Sequence, residues 1–568
     1  MKKILYFWLV VFSIITYKAQ TTTWNGTSWS NGVPKDNTDV VIAGNYNSAA
    51  NLSVRNFTIN EGSVFTINSN YRLTIYGNFI NNGTIVVNND AALIQTNNES
   101  TYSGFGTAII RKEANLKQKD YNYWCSPVIG QNLYNFSIGT PTDYFFRYKE
   151  SNDRFETTGL NSLSIFEQGV GYAIRGKSSY SPTTPTKETF TFNGIPNNGR
   201  ITVTLKKSVG VDKGYNLVGN PYPSNLSFKA FATGLNKNVI FNKQWLWTNL
   251  NEVRKQQGSA YAGNNYATYV ALVGGVGPTY VSNSIEEIAL RPKENTKVGQ
   301  GFIVQAKYDN AVLIFKNDMR SLSASNSVFY NKSEVEGDEE DPEEEVVDRY
   351  WLKIVNSDNI ANNILIAHIA EATNNYDEDY DAALFTMGND TFYSVVGTNK
   401  LQIQARALPI SDSDVIPLAY KTSKAGNCII ALNDKDGIFK DSNKPIYLKD
   451  KVTGTVTNLQ EGYYTFNSEV LTTPNDSRFE ILYANSVLAA DNTSTNQWIV
   501  YKQDTDWVVR GNDRIDGLDL YDASGKLVRS VAGNNAGELR VSNVGLTKGL
   551  YVMKIKTGKG TVTKKLLN

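Results

Sequence analysis

Short apolar triplets at a fixed interval restrict the fold of this chain more than any other feature. Phe57-Thr58-Ile59, Phe65-Thr66-Ile67 and Leu73-Thr74-Ile75 recur every eight residues, with Leu52-Ser53-Val54 ahead of them and Thr84-Ile85-Val86 behind. Each triplet alternates, which is the period of a strand with one buried face. Asn, Gly and Ser fill the gaps and supply turns. A strand of three or four residues plus a turn takes about eight positions, and three such units close one coil of a β-helix. Apolar positions such as Ile59, Ile67 and Ile75 are then expected to fill its core, coil over coil.

The remaining sequence keeps to strands. Tyr (33) and Gly (43) are abundant, long helical periodicity is missing, and short alternating runs are separated by turn residues. A chain of 568 residues is too long for a single core. The expected fold class is all-β: a short β-solenoid (residues 20–102), a β-rich middle domain (103–330), a β-sandwich domain (349–484) and a small Ig-like C-terminal sandwich (485–568). Between the middle and third domains, residues 331–348 include Glu334, Glu336, Asp338, Glu339, Glu340, Asp341, Glu343, Glu344 and Glu345. Like charges repel and offer nothing to bury, so this stretch reads as an acidic linker.

At the start, Lys2 and Lys3 precede an apolar run over residues 4–15, followed by Ala19-Gln20. The run is too short to span a bilayer and reads as a signal peptide, residues 1–19. No later run is long enough for a transmembrane helix. The 56 basic and 55 acidic residues balance, so no field points to nucleic acid.

The last 70 or so residues carry the most specific pattern. "LYDASGKLV" is followed at the end by "GLYVMKIKTGKGTVTKKLL". This resembles the C-terminal sorting domain of type IX secretion system substrates, with matches at Gly549, Tyr551, Lys554, Ile555, Gly560, Lys564 and Lys565. The resemblance implies handling by the type IX machinery and a secreted or outer-membrane cell-surface location.

Other stretches resemble proteins of the same kind. The opening W-N-G…W-S-N-G-x-P over residues 24–34, with the triplets after it, resembles the N-terminal regions of large secreted adhesin-like proteins. "YNYWCSPV", "GVGYAIRG", "GYNLVGNPYPS" and "VGQGFIVQA" resemble a recurrent region of type IX secreted proteins, in which the position of Cys125 is often serine. That favours a structural role for Cys125. "YDEDYDAALF", "LQIQARALP" and "DSRFEILY" resemble a sandwich unit that precedes sorting domains and carries no known catalytic residues.

Chemistry-bearing residues are few. None of the Gly-rich stretches has the strand–GxxxxGK[ST]–helix setting of a phosphate loop. His368 is the single histidine and lies in the apolar run Ile364-Leu365-Ile366-Ala367-His368-Ile369, as a packed core histidine would. One His and two distant cysteines, Cys125 and Cys428, do not make a zinc site, and no G-x-S-x-G surrounds a serine. The cysteines are expected as buried free thiols. Asp377, Glu378, Asp379 and Asp381 cluster, and Asn433-Asp434-Lys435-Asp436-Gly437 resembles part of a calcium loop without its later glutamate. These and the carboxylates of the acidic linker, which lacks a loop pattern and reads as solvated, are the calcium candidates, and no other cofactor or catalytic residue is expected. Trp245, Trp247, Tyr261, Tyr266, Tyr269 and Tyr280 form an aromatic-rich segment, suited either to stacking on sugars or to core packing.

The expected function is that of a non-catalytic adhesin or a glycan- or matrix-binding protein. Its rivals are a polysaccharide-degrading enzyme (β-helix lyase or glycosidase) and a structural surface stalk. Two acids lining one groove at glycosidase spacing would favour the enzyme.

Overall fold

The computed structural model describes residues 20–210, 213–249, 265–285, 287, 290–322, 346–385, 387–442, 444–484, 498–503, 505–511, 514–534, 536–547, 549–558 and 560–567. The expected signal peptide, most of the acidic linker and Tyr261 lie outside them. The chain is 49% strand and 5% helical, so the all-β expectation holds. It divides into two compact units, Met1–Ala484 and Asn485–Asn568.

The triplets build a solenoid of about four turns with three parallel sheets as its sides. One sheet runs through Thr21–Trp24, Asp39–Ile42, Phe57–Ile59, Phe79–Asn81 and Tyr102–Ser103. The second runs through Tyr46–Asn47, Val64–Ile67, Thr84–Val87 and Thr107–Leu116, and the third through Leu52–Val54, Arg72–Ile75 and Ala92–Gln95. Ile59, Ile67 and Ile75 are all fully buried, but they sit on different sides of the same coil and meet across it. The stacks over one another are Ile42 on Ile59 and Val54 on Ile75, because a full coil takes three triplets.

The turns stack as well. Asn56 Oδ1 accepts the N–H of Asn78 at 2.8 Å, and Asn78 Oδ1 accepts that of Thr101 at 3.0 Å. Glycine is required where coils come closest. A Cβ on Gly83 would lie 2.3 Å from the Ser63 carbonyl oxygen, and one on Gly106 would lie 2.3 Å from that of Gly83. The W-N-G…W-S segment closes the first coil. Trp24, Trp29 and Tyr46 pack with ring centroids 5.0–5.4 Å apart, and Tyr46 stacks on Phe65 at 5.1 Å. Trp24 Nε1 donates to the Asn45 carbonyl at 2.8 Å.

At its other end the solenoid continues directly into the next segment. Strand Thr107–Leu116 pairs in parallel with Thr84–Val87 on one side and antiparallel with Thr186–Pro196 on the other. One apolar core therefore runs from Val40 through Trp124, Phe136 and Phe192 to Val298. Beyond it lies a four-stranded sheet in the order Tyr121–Trp124, Tyr172–Arg175, Phe145–Lys149, Arg154–Thr157. A five-stranded sheet follows in the order Tyr215–Gly219, Gly301–Gln305, Lys243–Trp247, Tyr266–Val270, Gly274–Val276, and Ile201–Thr204 pairs with Val312–Phe315. Residues 346–484 form a larger, mostly antiparallel array, with Ile360–Ile369 and Asn399–Ala407 as a parallel pair, around Tyr350, Phe392, Ile430, Phe479 and Ile481. Strand Tyr280–Val281 of the middle segment pairs with its strand Ile360–Ile369.

The second unit is a two-sheet sandwich. Ile499–Gln503, Asp506–Arg510 and Glu538–Ser542 form one sheet, and Leu527–Ala532, Ile515–Asp522, Leu550–Thr557 and Gly560–Leu567 the other. Trp507, Leu518, Tyr551, Met553 and Ile555 fill the space between them. Among the described residues no helix is long and apolar enough to cross a membrane.

Candidate functional site

The sorting-motif residues fall on the last two strands. Gly549 and Gly560 bracket Leu550–Thr557, and Gly560 has φ +135°, a backbone that favours glycine. Tyr551 and Ile555 point into the core, and the Tyr551 hydroxyl donates to the Thr547 carbonyl at 2.9 Å. Lys554 faces solvent with its ammonium 5.1 Å from the Tyr521 ring. Lys564 lies opposite buried Met553, and Lys565 is paired with Val552.

Most other candidates are taken up by the fold. Trp245, Trp247 and Tyr269 are core residues. Trp247 stacks on Tyr123 at 5.6 Å, and half-buried Tyr266 bonds the Tyr123 hydroxyl at 2.7 Å. Tyr280 is half-buried in its strand pair. The core reading of this segment is thus the right one for the two tryptophans and Tyr269. Their rings are not open to a sugar.

His368 is buried, with Nδ1 3.3 Å from the Ala407 carbonyl and Nε2 2.7 Å from the Tyr483 hydroxyl. A carbonyl only accepts, so Nδ1 carries the proton and Nε2 accepts from Tyr483. Burial lowers the imidazole to about 4, which keeps it neutral. Cys125 and Cys428 are free and buried, and burial pushes their thiols up to about 12 and about 11. Neither is poised as a nucleophile.

The acids also brace the fold. Asp381 accepts from the backbone N–H groups of Ala405 and Asp377, both at 2.8 Å, and burial pushes it up to about 7. Asp379 pairs with Lys307 at 2.9 Å. Asp434 pairs with Arg291 and Asp436 with Arg349, along strand Gly426–Asp436. Among the described residues no group of His, Cys, Asp and Glu has the arrangement of a metal site.

A cleft of about 540 Å³ lies between two runs that sequence reasoning did not single out. On one side are Arg147, Tyr148, Lys149, Glu150 and Ser151, and on the other Thr204, Lys206, Lys207 and Ser208, with Val170, Val203, Leu217 and Val218 beneath. The volume lies within the usual range for ligand sites. Strand Phe145–Lys149 carries one wall and the end of strand Ile201–Thr204 the other. The only sequence signal is the pair of short basic runs, R-Y-K-E and L-K-K-S.

Both carboxylates lining the cleft are held ionised. Burial alone would raise Glu150, but Ser208 N (3.0 Å), Ser208 Oγ (2.7 Å) and Gly214 N (2.8 Å) all donate to it, and the balance lowers its pKa. Asp309 accepts from Lys207 N at 3.0 Å, which lowers it too. An acid that protonates a glycosidic oxygen needs a raised pKa, and neither acid has one. Arg147 is fixed by Glu167 through two bonds of 2.9 Å, and Lys149 lies 3.3 Å from Glu156. The ammonium of Lys206 bonds the neutral Asn310 side chain at 2.6 Å, and that of Lys207 bonds the Lys307 carbonyl at 3.3 Å.

An all-β body ending in a two-sheet sandwich with this terminal motif defines an exported protein. Residues 506–567 match the secretion system C-terminal sorting domain, so the chain is a type IX secretion substrate, secreted or attached at the outer-membrane surface. Residues 16–483 match a domain of unknown function (DUF8693), and the chain belongs to that family. No curated protein matches it.

Proposed function

We propose that this exported chain is a non-catalytic binding protein of the cell surface or its surroundings, an adhesin for an extracellular glycan or matrix protein, with the cleft beside Tyr148 as its ligand site. The cleft carries this reading. It is open, has an apolar floor and a polar, cationic rim, and both of its acids are held ionised by donors from the fold. A glycosidase working through these two acids would need one of them kept protonated, and His368, Cys125 and Cys428 are buried out of reach of a ligand. A structural stalk would have no use for such a cleft.

A glycan and matrix-protein array probed with the purified exported chain tests the proposal. Binding to one class of ligand that is weakened by Tyr148→Ala supports it. Silence on the array together with measurable depolymerisation of a polysaccharide reverses it in favour of the enzyme.

A further inference from the structure

We infer that the cleft beside Tyr148 takes an acidic polysaccharide, a chain of uronate-type sugars. This rests on the reading of that cleft as the ligand site. Glu150 and Asp309 also line the cleft, but both are engaged by N–H or O–H donors of the chain, and Arg147, Lys149, Lys206 and Lys207 outnumber them. The Lys206 ammonium bonds the neutral Asn310 side chain, and that of Lys207 bonds the Lys307 carbonyl and lies 5.8 Å from the Phe241 ring. The rim therefore offers the cationic charge of Lys206 and Lys207 with no carboxylate hydrogen-bonded to it, next to hydroxyls on Ser151 and Thr204. Sugars need this combination: hydroxyl partners, an apolar floor under the C–H face, and cations for the carboxylates.

An acidic peptide would share the charge, and one bound as an added strand would need an open strand edge. Strand Ile201–Thr204 pairs on one side with Val312–Phe315. On its other side the next position is closed: Asn216 Oδ1 accepts the Lys206 N–H at 2.9 Å, and Asn216 Nδ2 donates to the Lys206 carbonyl at 2.8 Å. The edge is thus interrupted at Lys206, and the apolar floor beside cations and hydroxyls favours a sugar chain.

Calorimetric titration of the full exported chain with tetragalacturonate, cellotetraose and hexaglutamate tests this. The expected result is binding of tetragalacturonate at least ~10-fold tighter than of the other two, weakening with salt. In the variant Lys206→Gln/Lys207→Gln, affinity should fall about 10-fold or more at an unchanged melting temperature. Lys206→Gln alone, at an exposed residue, gives the same direction if the double variant fails to fold. Equal binding of cellotetraose, insensitive to the lysine variants but lost in Tyr148→Ala, overturns the acidic ligand and keeps the cleft. Tighter binding of hexaglutamate replaces the sugar by a peptide. If none of the three binds and the glycan and matrix-protein array is also silent, this inference and the binding-protein reading fall together.

Discussion

His368 shows how one buried group sets a pH dependence. Its imidazole is near 4 in the folded chain and about 6.5 unfolded. The unfolded chain therefore binds the proton first, and stability falls as pH drops from about 6.5 towards 4, by up to about 3 kcal/mol. Asp381 acts in the opposite sense. Its folded value, raised to about 7 by burial, makes stability rise as pH falls from about 7 towards its unfolded value near 4. The two oppose each other in one window, so variants are needed to separate them. Between pH 7 and pH 4.5 the denaturant midpoint of His368→Gln should shift towards greater stability with acid relative to the parent chain. The same pH dependence in both would show that the Tyr483–His368–Ala407 chain does not control the titration. The histidine's burial was legible because an apolar run surrounded it. The cleft was not, since Arg147 and Lys206 are far apart in sequence and only pairing across the sheets brings them to one rim.

At the scale of the element, the solenoid depends on how its coils touch and how its last edge is closed. Gly106→Ala places a methyl 2.3 Å from the Gly83 carbonyl oxygen, a backbone contact that cannot yield cheaply, and should cost about 1–3 kcal/mol. Gly462→Ala, with open space around it, should be near neutral in the same denaturation measurement. Equal effects would mean that coil spacing is softer than drawn. The last strand of the third side, Ala92–Gln95, needs partners on its outer edge. Leu93 N donates to the Pro223 carbonyl at 2.8 Å, and Arg320 donates to the carbonyls of Leu93 and Gln95. Arg320 is buried, lies over the Tyr222 ring, and is lowered to about 10 by burial. Arg320→Met keeps the bulk but leaves two buried carbonyls unpaired, so about 2–5 kcal/mol should be lost; a denaturation midpoint within error of the parent would refute this role. The triplets announced the coils because their period is local. Their fusion to the next segment was hidden because Thr107–Leu116 finds its second partner at Thr186–Pro196, a pairing with no local period.

For the whole molecule, the two compact units have separate cores. The apolar cluster around Trp507 and Tyr551 draws only on residues of the second unit. Removing residues 506–568 should therefore leave the melting of the first unit unchanged while removing a second transition in calorimetry of the full chain. The address and the body are then separable. The motif at Gly549, Tyr551 and Ile555 was readable because an edge-to-core alternation and a glycine turn are short-range features, whereas the body's ligand depends on side chains assembled from distant strands. The same truncation tests the address in cells. The full chain should reach the surface or the medium, and the truncated chain should be retained inside the outer membrane with its first unit folded. Retention of an unfolded, protease-sensitive body would place the defect in folding instead. Equal surface delivery of both forms would mean that the terminal sandwich is dispensable for export.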